Sequence, residues 1–234
     1  QSLFPLQPFA TPLARQRASG NQVEVQLRGA YDQLVCQVQQ RAFDMGFVAT
    51  REDSTHEMWP LPALGEDFEL NGTQCIVEGG NCFQDDPSCL YMKTHPPGAP
   101  MQVLVEVNHR LTGTASYGYT IAYGTFTVHD HQTEGSALPW AGNLPESNLF
   151  SVVTLMQDEN ACSDLPEDIR GWCYEGDGCN GDVKYVSRAY LSPNTETAPD
   201  KNELLPGTVL NFRRLRRGRL AALESRPVCA ASSL

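Results

Sequence analysis

The chain has 234 residues, 41% of them hydrophobic, and its 17 Lys and Arg against 28 Asp and Glu give a formal net charge of −11. That length and apolar share support one generous domain or two small ones, and one is expected. The acidic balance argues against nucleic acid and anionic membranes as partners, because neutralising phosphates needs a broad basic face; nor does any apolar run reach the roughly 18 residues of a membrane span.

Residues 1–20 space Leu3, Phe4, Leu6, Phe9 and Leu13 with Pro5, Pro8 and Pro12. Prolines at that density remove the helix option, so an extended arm is predicted ahead of a single disulfide-rich domain over 21–234. The arm begins at Gln1 rather than Met, as a processed chain does. Unable to fold alone, it must lie on its own domain, lie on a neighbour or be disordered. Over 29–45, Ala30, Leu34, Val35, Val38, Ala42 and Met45 recur at three- and four-residue spacing, which predicts a helix with one buried stripe and Gly46 as its stop. Residues 47–100 are dense in turn chemistry (Asn-Gly, Glu-Gly-Gly-Asn, Asp-Asp-Pro, His-Pro-Pro-Gly) and predict loop with short strands.

Met101, Val103, Val105, Val107, His109 and Leu111 then alternate with polar residues, interrupted by Leu104; beyond the turn 112–116, Tyr117, Tyr119, Ile121 and Tyr123 alternate with Gly118, Thr120, Ala122 and Gly124. The pattern predicts a long hairpin within 101–131, its tip at Thr114, with Val107 opposite Ile121 and Val105 opposite Tyr123. In that register the tyrosine face is buried and the small, mostly polar face meets water. Further strands are predicted at 149–157, 183–191 and 208–215. The expected fold class is α+β, a mainly antiparallel sheet with one N-terminal helix and disulfide-stapled loops; a β-sandwich is the alternative.

Cys36, Cys75, Cys82, Cys89, Cys162, Cys173, Cys179 and Cys229 form an even set, six of them in two short windows. Reduced intracellular chains seldom look like this, so disulfides and a secreted, cell-surface or periplasmic location are expected. Zinc knuckles want cysteine pairs two to four residues apart, which these spacings lack. Each window holds three cysteines, so at least one in each must pair outside it, with Cys36 and Cys229 as candidates. Asn71-Gly72-Thr73 is an N-glycosylation sequon in a turn-like context.

Three features carry possible chemistry. His129 and His131 share one face of the predicted hairpin and His95 can approach them, which suits zinc or copper with Asp130 or Glu134 completing the set; the competing reading is strand-end histidines in contact with water. His109 reads instead as a hydrogen-bonded core residue opposite Tyr119. Glu175, Asp177, Asn180 and Asp182 crowd an acidic, Gly-rich cysteine loop that suits calcium, although Cys179 and Gly181 break the ligand alternation of an EF-hand and a solvated loop competes. Arg213, Arg214, Arg216, Arg217 and Arg219 concentrate positive charge on an acidic chain; their forks suit carboxylates or sulfates, as on an acidic glycan or a neighbouring copy, or salt bridges within the molecule.

No nucleophile elbow, zinc-protease helix or phosphate loop is present. The leading expectation is a non-catalytic secreted or cell-surface structural or assembly subunit, making contacts through the arm and the arginine cluster. A carbohydrate- or ligand-binding module using Trp59, Trp140, Trp172, Tyr117 and Tyr123 is the second. A metal-dependent secreted enzyme built on His95, His129 and His131 is the third.

Overall fold

A computed structural model of the chain describes residues 20–49, 55–60, 89–123, 135–176, 183–196, 204–215 and 229. Helix α1 (Gly20–Asp44) starts well ahead of the predicted stripe. It buries Leu27, Ala30, Tyr31, Leu34, Val38 and Ala42, the one-sided spacing that the sequence shows. Gly46 ends it at φ +85°, a left-handed conformation that side-chain-bearing residues seldom adopt, and its N–H returns to the Phe43 carbonyl at 2.9 Å.

The strands in chain order are β1 (Phe47–Ala49), β2 (Thr55–Glu57), β3 (Trp59–Pro60), β4 (Cys89–Thr94), β5 (Met101–Val107), β6 (Ala115–Tyr123), β7 (Phe150–Met156), β8 (Cys173–Glu175), β9 (Lys184–Leu191) and β10 (Thr208–Arg214). Among the described residues they form two sheets. The larger has the order β1-β10-β5-β7-β8, with β2 sharing the β10 edge; the smaller has the order β3-β4-β9-β6. Pairing is antiparallel except between β7 and β8. The coarse α+β expectation, mostly antiparallel with a long helix and disulfides, therefore holds.

The long hairpin does not form. β5 pairs with β10 and β7, with Val107 opposite Phe150, whereas β6 pairs with β9, with Ile121 opposite Val186. The alternation breaks after Val107, where the short helix α2 (His109–Thr112) is capped by the Asn108 side chain and closed by Gly113 at φ +81°. That turn hands the chain from one sheet to the other.

Three layers result. Met101, Val103 and Val105 of β5, Phe150 and Val152 of β7, and Leu210 and Phe212 of β10 pack against α1 and Trp140. Leu104, Val153, Leu155 and Val209, on the opposite face of the same sheet, pack against Leu90, Met92, Ala122, Tyr185, Ala189 and Leu191 of the smaller sheet. Leu104 interrupts the alternation because β5 is buried on both faces, a burial that runs through all seven of its residues. Gln102, Glu106 and Asn211, three of the polar residues that face the smaller sheet, are hydrogen-bonded, as buried polar groups usually are. Gln102 donates to Asn211 Oδ1 at 2.8 Å and accepts from the Tyr185 hydroxyl at 2.9 Å, while the Thr120 hydroxyl donates to the Glu106 carboxylate at 2.9 Å.

Two disulfides are seen among the described residues. Cys36–Cys229 ties α1 to the C-terminal region, and Cys162–Cys173 closes a short loop before β8. Cys36 and Cys229 thus pair with each other rather than with the cysteine windows. The remaining cysteine side chains, the 1–19 part of the predicted arm and Asn71 lie outside the described residues. Among the described residues no helix is long and apolar enough to cross a membrane.

Candidate functional site

The smaller sheet presents its outward face on β4, β9 and β6. Inward-facing residues alternate correctly on β9, where Tyr185, Ala189 and Leu191 enter the inter-sheet core. On β6 a register shift between Ala115 and Tyr117 inserts one extra residue. Such a bulge reverses the alternation beyond it, so Ala115 points inward, and after the shift Ala122 and Thr120 do too. The burial expected for this strand is therefore inverted: its small face lies against the larger sheet, and Tyr117 and Tyr119 stand on the outside. Small residues on the inner face let the two sheets approach closely enough for Thr120 to reach Glu106.

Register then assembles the outer face row by row. Tyr91, Arg188 and Tyr119 are cross-strand neighbours, and Tyr190 opposes Tyr117. The Arg188 guanidinium lies 4.6 Å from the Tyr91 ring centre, 5.3 Å from that of Tyr119 and 5.9 Å from that of Tyr190. It donates to the Tyr190 hydroxyl at 3.1 Å. Tyr117 packs its ring on Tyr119 at 5.8 Å and on Tyr190 at 5.9 Å, tilted in both cases. These separations fall in the range of favourable cation–π and aromatic contacts, so each ring fixes the next. Tyr91 is fully buried, Tyr119, Tyr190 and Arg188 are half-buried, and Tyr117 is 42% exposed, which grades the face from an anchored floor to an open ring. Partial burial works against the Arg188 charge, but the Tyr190 hydrogen bond and the surrounding tyrosines outweigh it and the guanidinium stays ionised. Two rows along β9 from Arg188, burial and then the Lys93 charge push the Lys184 ammonium below its ordinary value.

A second polar cluster is closed to solvent. Glu24 of α1 is fully buried and accepts from His109 Nδ1 at 2.7 Å, the Thr114 hydroxyl at 2.7 Å and the Leu205 N–H at 2.9 Å. Burial opposes the imidazolium, yet the charge and hydrogen bond of Glu24, with Glu106 adding to them, raise His109 above its usual value. Thr114 and Glu24 both face the same ring nitrogen of His109. A nucleophile–histidine–acid relay needs the two nitrogens to serve different partners, so this cluster is a clasp between α1, α2 and the 204–205 segment. His109 is the hydrogen-bonded core residue expected, although it sits on α2 and not on a strand opposite Tyr119.

The other candidate residues are scattered. His129 and His131 lie outside the described residues, as do Asp177, Asn180 and Asp182. His95 is exposed just beyond β4. Glu175 accepts from the backbone N–H groups of Asn160 and Cys162, both at 2.9 Å, capping the short turn that carries Cys162. Among the described residues no group of three or more His, Cys, Asp or Glu is placed to hold a metal ion. Arg214 pairs with Asp164 at 2.6 Å and lies over the Phe47 ring, while Arg216, Arg217 and Arg219 fall outside the described residues. Trp140 is core and Trp172 half-buried. Only Tyr117, of the predicted stacking residues whose side chains are described, belongs to the aromatic face. Tyr91, Tyr190 and Arg188 escaped the sequence reading because they belong to strands far apart in the chain; the alternation of tyrosine on 117–123 was the available signal, read with the wrong face inward.

In comparisons with known proteins, no family model, curated protein or solved structure matches the chain.

Proposed function

We propose that the protein is a secreted, non-catalytic binding module that uses the outer face of the smaller sheet, centred on Tyr117, to stack against the sugar rings of a carbohydrate. The single observation that carries this reading is the tyrosine cluster itself, locked ring to ring around Arg188 and left open at Tyr117. Pyranose rings present apolar C–H faces edged with hydroxyls, and a tyrosine offers an apolar ring with a polar tip to match. Holding the rings in place before binding reduces the ordering cost that otherwise consumes affinity. The disulfides fit an oxidising compartment.

The assembly reading rests on the 1–20 arm and the arginine cluster. Of these, the described Arg214 is engaged within its own molecule by Asp164, which favours the binding reading over it. Calcium at the 175–182 loop and zinc or copper at His95, His129 and His131 are not needed for the binding reading, nor is a glycan at Asn71. The test is retention on insoluble polysaccharides, with a Tyr117→Ala variant alongside. The expected result is binding by the parent chain and a loss of roughly tenfold in affinity for the variant, the scale of one aromatic contact. Equal retention of both proteins, or none by the parent across neutral and charged polysaccharides, overturns the reading.

A further inference from the structure

Tyr117 stands outside the fold because of the residue before it. In the β6–β9 ladder Ala115 opposes Leu191 and Tyr117 opposes Tyr190, so two steps along β6 answer one along β9 and Ser116 is the inserted residue. Without the insertion, strand alternation would carry Tyr117 and Tyr119 to the side of Ala115, against the larger sheet. That side is filled by Leu104, Val153 and Val209, which β6 meets with the small side chains of Ala115 and Ala122. Bulges beside functional sites re-aim side chains in this way.

Ser116 also ties the bulge to the residue that supports the ring. It is exposed, and its hydroxyl donates to the Tyr190 carbonyl at 3.3 Å. The Tyr190 side chain in turn packs on Tyr117, with ring centres 5.9 Å apart and planes at 46°, while Tyr119 packs on it at 5.8 Å and 49°. Two consecutive residues of β6 thus hold one residue of β9, Ser116 by its main chain and Tyr117 by its ring. Loss of the hydroxyl frees the bulge to shift against Tyr190, and the Tyr117 ring then loses its fixed angle to the two rings that back it. We infer that Ser116 is the positioning residue of the carbohydrate site, setting through Tyr190 the angle at which the Tyr117 ring meets a pyranose. This rests on the carbohydrate reading above and adds to it the group that orders the stacking ring before a ligand arrives. A ring that must be ordered on binding costs about twofold to tenfold in affinity.

The test compares the full disulfide-bonded chain with Ser116→Ala, Ser116→Thr, Tyr117→Ala and the double variant Ser116→Ala with Tyr117→Ala. Retention is measured on columns of cellulose, chitin and cross-linked dextran, and the tyrosine band of the near-ultraviolet circular dichroism is recorded without ligand. Ser116→Ala is expected to weaken that band and to bind about twofold to tenfold less tightly, with an unchanged urea midpoint because the group removed is exposed. Ser116→Thr, which returns a hydroxyl, restores both signals. On the Tyr117→Ala chain, the further loss of the Ser116 hydroxyl is expected to change retention by less than about twofold, because a positioning residue then has nothing to position. Parent-like retention of Ser116→Ala refutes the inference and leaves the carbohydrate reading standing. Retention that falls while the tyrosine band stays unaltered refutes it too, since the ring has not moved. A full effect of Ser116→Ala on the Tyr117→Ala chain is equally damaging, since the hydroxyl then touches the sugar itself. Retention of the parent on no column refutes both readings.

Discussion

Replacing Glu24 should do more than weaken the fold: it should reverse the direction in which pH changes stability. Glu24 has no solvent exposure and holds His109 at 2.7 Å, so removing the carboxylate leaves the imidazole buried at 7% exposure with its main counter-charge gone. Breaking a buried pair from one side costs about 3–5 kcal/mol, and the Leu205 N–H loses its Glu24 acceptor as well, while the Thr114 hydroxyl keeps the His109 carbonyl at 3.0 Å. In the parent chain the folded-state value of His109 is raised. The folded protein therefore binds its proton more tightly than the unfolded one; the stabilisation is complete below the unfolded value of about 6.5 and is lost as pH rises through the folded value. In Glu24→Ala the desolvation of His109, the largest influence on it, is left with only the weaker Glu106 charge against it. The folded value then falls below 6.5, and stability is lost as pH drops instead. Each such slope is bounded at about 1.4 kcal/mol per pH unit for one proton. Urea midpoints from pH 5.5 to 8.5 measure both effects, with the difference between variant and parent removing the contribution of the other histidines. His109→Gln should flatten the slope in either background. A Glu24→Ala chain that loses less than about 1 kcal/mol, or keeps the parent's slope, refutes the clasp.

Other perturbations test different parts of the fold. The Cys36–Cys229 bridge spans 193 residues and Cys162–Cys173 spans 11, so loop-closure entropy predicts losses of about 5 and about 3 kcal/mol when each pair is changed to serine, read as urea midpoints; an inverted order counts against that account. With those four cysteines paired, full oxidation of the chain forces Cys179 to bond to Cys75, Cys82 or Cys89, and a non-reducing peptide map should recover such a cross-window peptide. A β-carbon at Gly207 would sit 2.8 Å from Glu106 Cγ and 3.1 Å from Met58 Sδ, between buried side chains, so Gly207→Ala should cost about 1–3 kcal/mol in thermal or urea unfolding. Arg214→Ala, by contrast, removes an ion pair exposed on both partners, and screening by water should hold its effect under about 1 kcal/mol.

Much of the secondary structure was legible because local chemistry determined it. The strands predicted at 149–157, 183–191 and 208–215 appear as β7, β9 and β10, and the α1 stripe is the one the period of 3.6 marks. What local pattern could not reveal was partnership. Met101–Val107 and Tyr117–Tyr123 look like two arms of a hairpin because alternation is indifferent to which strand lies next door; only the α2 turn, hidden in a stretch read as strand and tip, diverts β6 to another sheet. The aromatic face was missed for the same reason. One inserted residue near Tyr117 reverses inside and outside for the rest of β6, and a bulge leaves no signature in hydrophobicity when both faces carry some apolar residues. Leu104 was the clue available, an apolar residue in a polar phase that marks a strand buried on both faces.

That double burial has a consequence for how the molecule breathes. β5 is paired along its whole length with β7 and along most of it with β10, the helix covers one of its faces and the smaller sheet the other. No partial opening exposes it, since every route to its amides first requires a neighbouring layer to leave. Its amide hydrogens should exchange with solvent only through global unfolding, whereas those of β3 and β8, short strands at the sheet edges, exchange through local fluctuations. Fluctuations at the edges of the two sheets therefore leave the strand at the centre of the fold in its place.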